Sequence, residues 1–184
     1  MKIMLHACCG PCLLEPYDAL SAGNEVRVAY ANPNIHPRDE YERRRDTLLV
    51  YARGRGIEVD ELAYEPEVWD AAVAGLEDKP AERCRACFRL RLGMAASHAR
   101  EAGYDVVATT LTVSPYQDPD AIRDAGESAC AAEGIGFLLT DFRARYPDAV
   151  RRSRELGMYR QDFCGCRYSA GEAEEGRARR RAER

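Results

Sequence analysis

The chain has 184 residues, a formal net charge of −4 and eight cysteines, a length that suits one hydrophobic core. No apolar run approaches the ~18–20 residues that cross a bilayer, and Met1 leads into strand-like residues rather than a signal peptide, so a cytoplasmic protein is expected. The acidic balance excludes nucleic-acid binding through bulk charge, which needs a broad basic surface; the local clusters Arg43, Arg44, Arg45 and Arg151, Arg152, Arg154 are either binding patches or solvated helix faces.

Ile3 to Ala7 reads as a buried strand, and Leu13, Leu14, Tyr17 and Leu20 recur at helical spacing after Pro11 until Gly23. Val26 to Ala31 is a second strand. The Pro- and Asn-rich stretch Asn32 to Pro37 follows, then a helix in which Asp39 and Glu42 form a capping box and which Gly54 and Gly56 end. Ile57 to Leu62 is a third strand, Trp69 to Leu76 a short helix, and Glu77 to Arg83 a polar loop. Cys84 opens a longer helix with Phe88, Leu92, Ala95, Ala96 and Ala99 on one face. Val106 to Thr110, a helix over Pro119 to Glu133, Gly136 to Leu139 and a helix over Pro147 to Leu156 complete the pattern. The assignment is one α/β metal-binding catalytic domain over residues 1–168 and a polar, disordered or frayed tail over 169–184.

Strands alternating with helices predict a Rossmann-like open parallel sheet with helices on both faces. Such sheets bind ligands beyond the carboxyl ends of their strands, and the unusual residues follow those ends: Cys8, Cys9 and Cys12 after the first strand, Asn32 to His36 after the second, Cys84 and Cys87 beyond the third, Ser114 to Gln117 after the fourth.

In a chain with ample ordinary core residues and no export signal, thiols held for metal or redox work are the better reading than disulfides. Cys8, Cys9 and Cys12 flank a Gly10-Pro11 turn, Cys84 and Cys87 repeat ligand spacing at a helix start, and Gly165 lets Cys164 and Cys166 point inward. Those seven exceed one four-coordinate site, which favours two metal sites over one four-thiolate zinc with spare cysteines or a dithiol pair. Cys130, among alanines, is a core residue. His6 reads as a hydrogen-bonded core histidine, His98 as surface, and His36 as a substrate contact or proton donor. Tyr116, Gln117, Tyr159 and Gln161 flank the cysteine loops and read either as residues that stack on or hydrogen-bond a planar base or as loop packing.

His6 to Cys12, Glu82 to Leu92 with its Cys-X-X-Cys-Phe, Thr109-Thr110-Leu111 with Ser114 to Gln117, and Tyr159-Arg160-Gln161 to Cys166 together resemble the QueH family, the cobalamin-independent epoxyqueuosine reductases. The resemblance runs from Met1 to about Tyr168 and implies a fold akin to the adenine-nucleotide α-hydrolase-like (HUP) group. It also implies a [4Fe–4S] cluster beside a second, mononuclear metal, expected to be iron, with Cys8, Cys9, Cys12, Cys84, Cys87, Cys164 and Cys166 as ligands. The implied reaction is two-electron deoxygenation of the epoxide at the tRNA wobble position, fed by an external ferredoxin-like or flavodoxin-like donor. Two positions depart from the family pattern: Cys12 stands where some relatives carry an acidic residue, and Phe163 where a tyrosine is common.

On that reading His36 and Tyr116 are catalytic candidates for proton delivery, and Asn32, Asn34, Arg44, Ser114, Gln117, Tyr159, Arg160 and Gln161 contact substrate. Arg38, Arg43, Arg44, Arg160 and Arg167 form a basic rim for the single-stranded anticodon loop, so Arg44→Glu is expected to weaken tRNA binding with cluster content unchanged. The rival readings are a zinc-stapled RNA-binding module and an ATP-using tRNA thiolation enzyme of related fold; the latter lacks a phosphate loop, since only Gly10 is available after the first strand.

Overall fold

The structure is a computed structural model, described over residues 1–183. Five parallel strands, β1 (Lys2–His6), β2 (Glu25–Tyr30), β3 (Val59–Glu61), β4 (Val106–Thr109) and β5 (Gly136–Phe137), lie in the order β3-β2-β1-β4-β5. The connecting helices are α1 (Gly10–Ser21), α2 (Arg38–Arg55), α3 (Pro66–Ala72), α4 (Pro80–Glu101), α5 (Pro119–Glu133), α6 (Tyr146–Glu155) and α7 (Arg167–Ala182).

The two-residue alternation of the strands sorts the core into two layers. Ile3, Leu5, Val28 and Tyr30 pack with Leu13, Leu20, Leu48 and Ala52 of α1 and α2 on one face. Met4, Ala29 and Val107 pack with Ala95, Ala96 and Ala99 of α4 and Cys130 of α5 on the other. The chain winds outward from β1 through β2 to β3, then returns to β4 on the far side of β1. The carboxyl ends of β1 and β4 therefore open the crevice where such sheets bind ligands.

The strand and helix order follows the sequence reading; α3 spans Pro66–Ala72 rather than Trp69 to Leu76, and four further differences stand out. β3 and β5 are shorter than Ile57–Leu62 and Gly136–Leu139, because pairing sets their length: β3 pairs only with β2 and β5 only with β4, at the two edges. No capping box forms at Asp39 and Glu42; α2 starts at Arg38, and the Pro37 carbonyl accepts from the Glu40 and Tyr41 amides. α4 begins at Pro80 rather than Cys84, since proline in the first turn loses no hydrogen bond. Cys84 thus lies one turn inside the helix, so the helix dipole is not aimed at it as expected.

The fourth difference is the C-terminal segment. Residues 167–182 form a helix, where a frayed tail is expected from 169. No residue of α7 is buried, and its attachment is mostly polar: Arg83 pairs with Glu172, Arg177 with Asp162, and Arg83 lies over the Tyr168 ring, 4.6 Å to the centroid, while the half-buried Tyr168 also packs against the Trp69 cluster. An apolar-periodicity reading is blind to such anchors. Among the described residues no helix is long and apolar enough to cross a membrane.

Candidate metal centre

β1 ends in His6, whose ring is fully buried; Nε2 donates to the Ala31 carbonyl (3.2 Å) and Nδ1 accepts from Thr109 Oγ1 (2.9 Å). Burial, reinforced by Arg91, pushes its pKa down to about 3, the state of a neutral core histidine. Asn32 Nδ2 donates to the Ala7 carbonyl (2.8 Å), pinning the loop that follows. At Gly10 a Cβ would come within 3.0 Å of Thr47 Cγ2, so glycine is what lets α1 start close against α2.

This loop brings the ligand atoms of Cys8, Cys9 and Cys12 within 4.8 Å of one another. Cys8 Sγ lies 3.9 Å from Cys9 Sγ and 3.7 Å from Thr110 Oγ1. Hydrogen bonds from Cys12 and Cys9 hold the Cys8 thiol well below its ordinary value. Burial pushes Cys9 up to about 12, and the hydrogen bond to Cys8 raises Cys12. The three sulfurs thus lie close enough to exchange hydrogen bonds, an arrangement in which a cation can take the place of their protons.

Cys84, Cys87, Cys164 and Cys166 form a second neighbourhood. Cys87 and Cys166 share an apolar cluster with Trp69 and Val73. Burial, aided by the neighbouring thiols of this set, raises Cys84 to about 11 and Cys164 to about 12. Gly165 has φ +125°, and a Cβ there would sit 2.9 Å from Arg44 Nη1. Only glycine lets the Cys164-Cys166 turn seat on that guanidinium. Among the described residues, only the first group brings three ligand atoms within 4.8 Å; the seven sulfurs gather as two neighbourhoods rather than around one point.

Arg44 is a correction to the sequence reading. It is 1% exposed, pairs with Glu40 (2.6 Å), and donates to the carbonyls of Cys164 (2.9 Å) and Phe163 (3.3 Å). A guanidinium so enclosed fastens a ligand loop and cannot meet RNA. Asn32 is likewise buried and occupied, donating to Ala7 and accepting from Arg91 (2.6 Å). Tyr116 is 80% exposed, in edge contact with Tyr146 (6.3 Å), so it stands on the surface outside the buried thiols. His36 accepts from Arg167 at Nε2 (3.1 Å) while Nδ1 donates to the Asn34 carbonyl (2.8 Å), which leaves no free ring proton for delivery.

Other expected residues do reach the thiols. Gln161 Nε2 donates to Cys9 Sγ (2.8 Å) and Gln117 Nε2 to Cys164 Sγ (3.7 Å). Tyr159 is tied to Glu40 Oε2 (2.7 Å) under Arg43. Ser114 accepts from the Tyr116 amide (3.3 Å) and lines a cavity of about 190 Å³ beside Gln117. Arg160 is exposed, near Tyr146, which in turn lies within electrostatic reach of Cys12. Of the proposed rim, Arg38 and Arg43 cover tyrosine rings and Arg167 pairs with Asp70. Cys130 packs in the core and His98 bonds Asp60 (2.8 Å). All eight cysteines are free thiols.

Sequence reasoning missed Arg91, Trp69 and Tyr146. Arg91 sits four residues after Cys87 on α4, a same-face spacing that was available as a signal; Trp69 and Tyr146 come from α3 and α6, with no local signal.

The residues fit a thiolate-held metal group. Buried polar atoms without partners are rare, yet Asn34 Nδ2 and Oδ1, Trp69 Nε1, Arg91 Nε and Gln161 Oε1 are all buried and unpartnered. All four of these residues neighbour the cysteines or sit in loops that touch them: Gln161 bonds Cys9, Trp69 packs with Cys87, Arg91 lies within electrostatic reach of Cys87 and Cys8, and Asn34 lies in the His36 loop that bonds Gly165. Soft sulfur donors around them suit iron–sulfur or zinc.

Fold and site together define a parallel α/β protein whose central strand end carries a cysteine group able to bind a metal. The family described as Epoxyqueuosine reductase QueH matches residues 3–172. Proteins named epoxyqueuosine reductase QueH from Streptococcus pyogenes serotype M1 (35% identical, 92% of this chain, 70% of that protein), Dehalococcoides mccartyi (33%, 91% and 92%) and Thermotoga maritima (33%, 94% and 92%) are similar over most of the chain. Among solved structures, the glycosyltransferase VinC in complex with dTDP aligns over 83% of this chain and 38% of its own at 16% identity and a TM-score of 0.36, too slight a likeness to carry an argument. The chain belongs to the epoxyqueuosine reductase QueH family, a family of oxidoreductases.

Proposed function

We propose that this protein reduces the epoxide of epoxyqueuosine in tRNA to the alkene of queuosine, consuming two electrons and two protons and releasing one water. The observation that carries the reading is the group of Cys8, Cys9 and Cys12 within 4.8 Å, at the switch point of a chain matched by the family over residues 3–172. The seven cysteines hold a [4Fe–4S] cluster and a second metal, the division of ligands between them left open by their two neighbourhoods. When bound, such a cluster supplies single electrons at low potential, and a second iron with an open position supplies Lewis acidity.

The protein's own residues do the rest. Gln161 and Gln117 donate to Cys9 and Cys164, and donors to sulfur stabilise its negative charge. Arg44 fixes the Cys164 turn from inside. The Asn34 amide, buried and unpartnered, sits in the loop whose His36 amide donates to the Gly165 carbonyl of the ligand turn. Tyr116 and Arg160 stand exposed, suited to stack on a splayed base and to meet phosphate. The electrons come from an external donor of ferredoxin or flavodoxin type in the cytoplasm.

The test is anaerobic purification with iron and sulfide counts and EPR, followed by incubation with reductant and epoxyqueuosine-containing tRNA, reading the released nucleoside by mass. Loss of one oxygen supports the reading. Colourless protein holding only zinc points to the stapled RNA-binding module and refutes it.

A further inference from the structure

Among the described residues three arginines are fully buried: Arg44, Arg83 and Arg91, each 1% exposed. A buried charge must be paired, because the desolvation of a lone ion costs far more than its side chain gains by packing. Arg44 pairs with Glu40, and Arg83 with Glu172. Among the described residues no carboxylate pairs with Arg91. The ionisable groups that act on it are thiols: Cys87 first, then Cys8 and Cys164. Cys87 lies one helical turn before it on α4 and shares its face, whereas Cys8 belongs to the loop after β1 and Cys164 to the loop before α7.

The guanidinium is held between these groups by one hydrogen bond to an oxygen, Nη2 to Asn32 Oδ1 (2.6 Å), and Asn32 in turn holds the Ala7 carbonyl (2.8 Å) next to Cys8. Nε has no partner. Arg91 is therefore tied to the frame of one cysteine group while rising from the helix that carries part of the other.

We propose that Arg91 is the shared countercharge of the two cysteine groups, and that its fixed positive charge makes the centre they hold easier to reduce. A cation in a low-dielectric interior stabilises the more negative, reduced state of a nearby anionic group, and the effect is large because no water screens it. An apolar residue of similar volume would fill the space at lower cost, so the charge itself is what the site retains. The inference rests on the proposed iron–sulfur reading, and Arg91 acts as a tuning residue, not as one that touches substrate.

The test compares wild-type holoprotein with Arg91→Gln, Arg91→Lys and Asn32→Ala, all prepared without oxygen, by iron and sulfide counts and by an EPR-monitored redox titration. Arg91→Gln is expected to keep its iron and sulfide while its reduction equilibrium shifts about tenfold or more toward the oxidised form, 59 mV per tenfold for a one-electron couple. Arg91→Lys keeps the charge and recovers most of the shift; Asn32→Ala, which removes the hydrogen bond and leaves the charge, stays near wild type. A wild-type potential in fully loaded Arg91→Gln overturns the proposal, as does an Asn32→Ala shift equal to that of Arg91→Gln, which would assign the effect to the clamp. Where Arg91→Gln fails to load, Arg91→Lys decides: loading near the wild-type potential supports the countercharge, and an empty, folded Arg91→Lys overturns it. Wild-type protein without iron and sulfide brings down the proposed function itself, an outcome distinct from all of these.

Discussion

Replacing Arg44 with methionine removes a buried cation while keeping most of the side-chain volume. The loss has three parts: the Glu40 pair at 2.6 Å, the hydrogen bonds to the Cys164 and Phe163 carbonyls at 2.9 and 3.3 Å, and the stacking over the Phe163 ring at 4.9 Å. Glu40, 8% exposed, is left with only Tyr159 as a hydrogen-bond partner. Breaking a buried pair by deleting one partner costs roughly 3–5 kcal/mol, a large share of the ~5–15 kcal/mol that holds a domain together. The loss falls on the turn that carries Cys164 and Cys166. Arg44→Met is thus expected to lower stability in urea denaturation and to deplete bound metal, and pairing it with Glu40→Leu recovers part of the stability because the stranded carboxylate is gone. Arg44→Lys recovers little, since an ammonium cannot span a carboxylate and two carbonyls at once. A cost under ~1 kcal/mol, or tRNA binding lost at full metal content, would refute the fastening role and restore Arg44 to the RNA surface.

Serine at Cys8, Cys9 or Cys12 is expected to abolish metal binding as read by elemental analysis, whereas Cys130→Ala, buried against the α4 face of the sheet, keeps full metal content at a cost of about 1 kcal/mol. Gly165→Ala is strained by φ +125° and by the 2.9 Å approach to Arg44; it should cost at least ~1–2 kcal/mol and show a lower melting temperature together with reduced metal content. Tyr116→Ala, at an 80% exposed position, should leave stability and metal untouched while weakening tRNA binding by roughly 1–3 kcal/mol if the ring stacks on a base, and unchanged affinity removes it from the interface. Burial raises the Asp60 carboxyl, but hydrogen bonds from Arg27 and His98 outweigh it and hold its pKa below the ordinary carboxylate value. That stability is present above the ordinary carboxylate value and lost as pH falls through the depressed one; Asp60→Asn should therefore flatten the acid side of the stability curve, measured by urea midpoints across pH.

The sequence by itself determined the order of strands and helices, because a short apolar run such as Ile3–Leu5 and apolar recurrence at 3.6 such as Phe88–Ala99 are local properties. It also determined the chemistry at stake: the spacing of Cys8, Cys9 and Cys12 about Gly10-Pro11 places three sulfurs on one short turn, and the structure brings them within 4.8 Å. Burial and pairing were decided only by the tertiary structure. Arg44 looks like any arginine in the run Arg43-Arg44-Arg45, and nothing local says that it alone turns inward to meet a loop some 120 residues away. The same holds for Arg91, whose partners come from separate loops, and for α7, held by Arg83 and Asp162 rather than by an apolar stripe. A charge finds its partner through three-dimensional proximity, and that information is spread over the whole chain rather than written beside the residue.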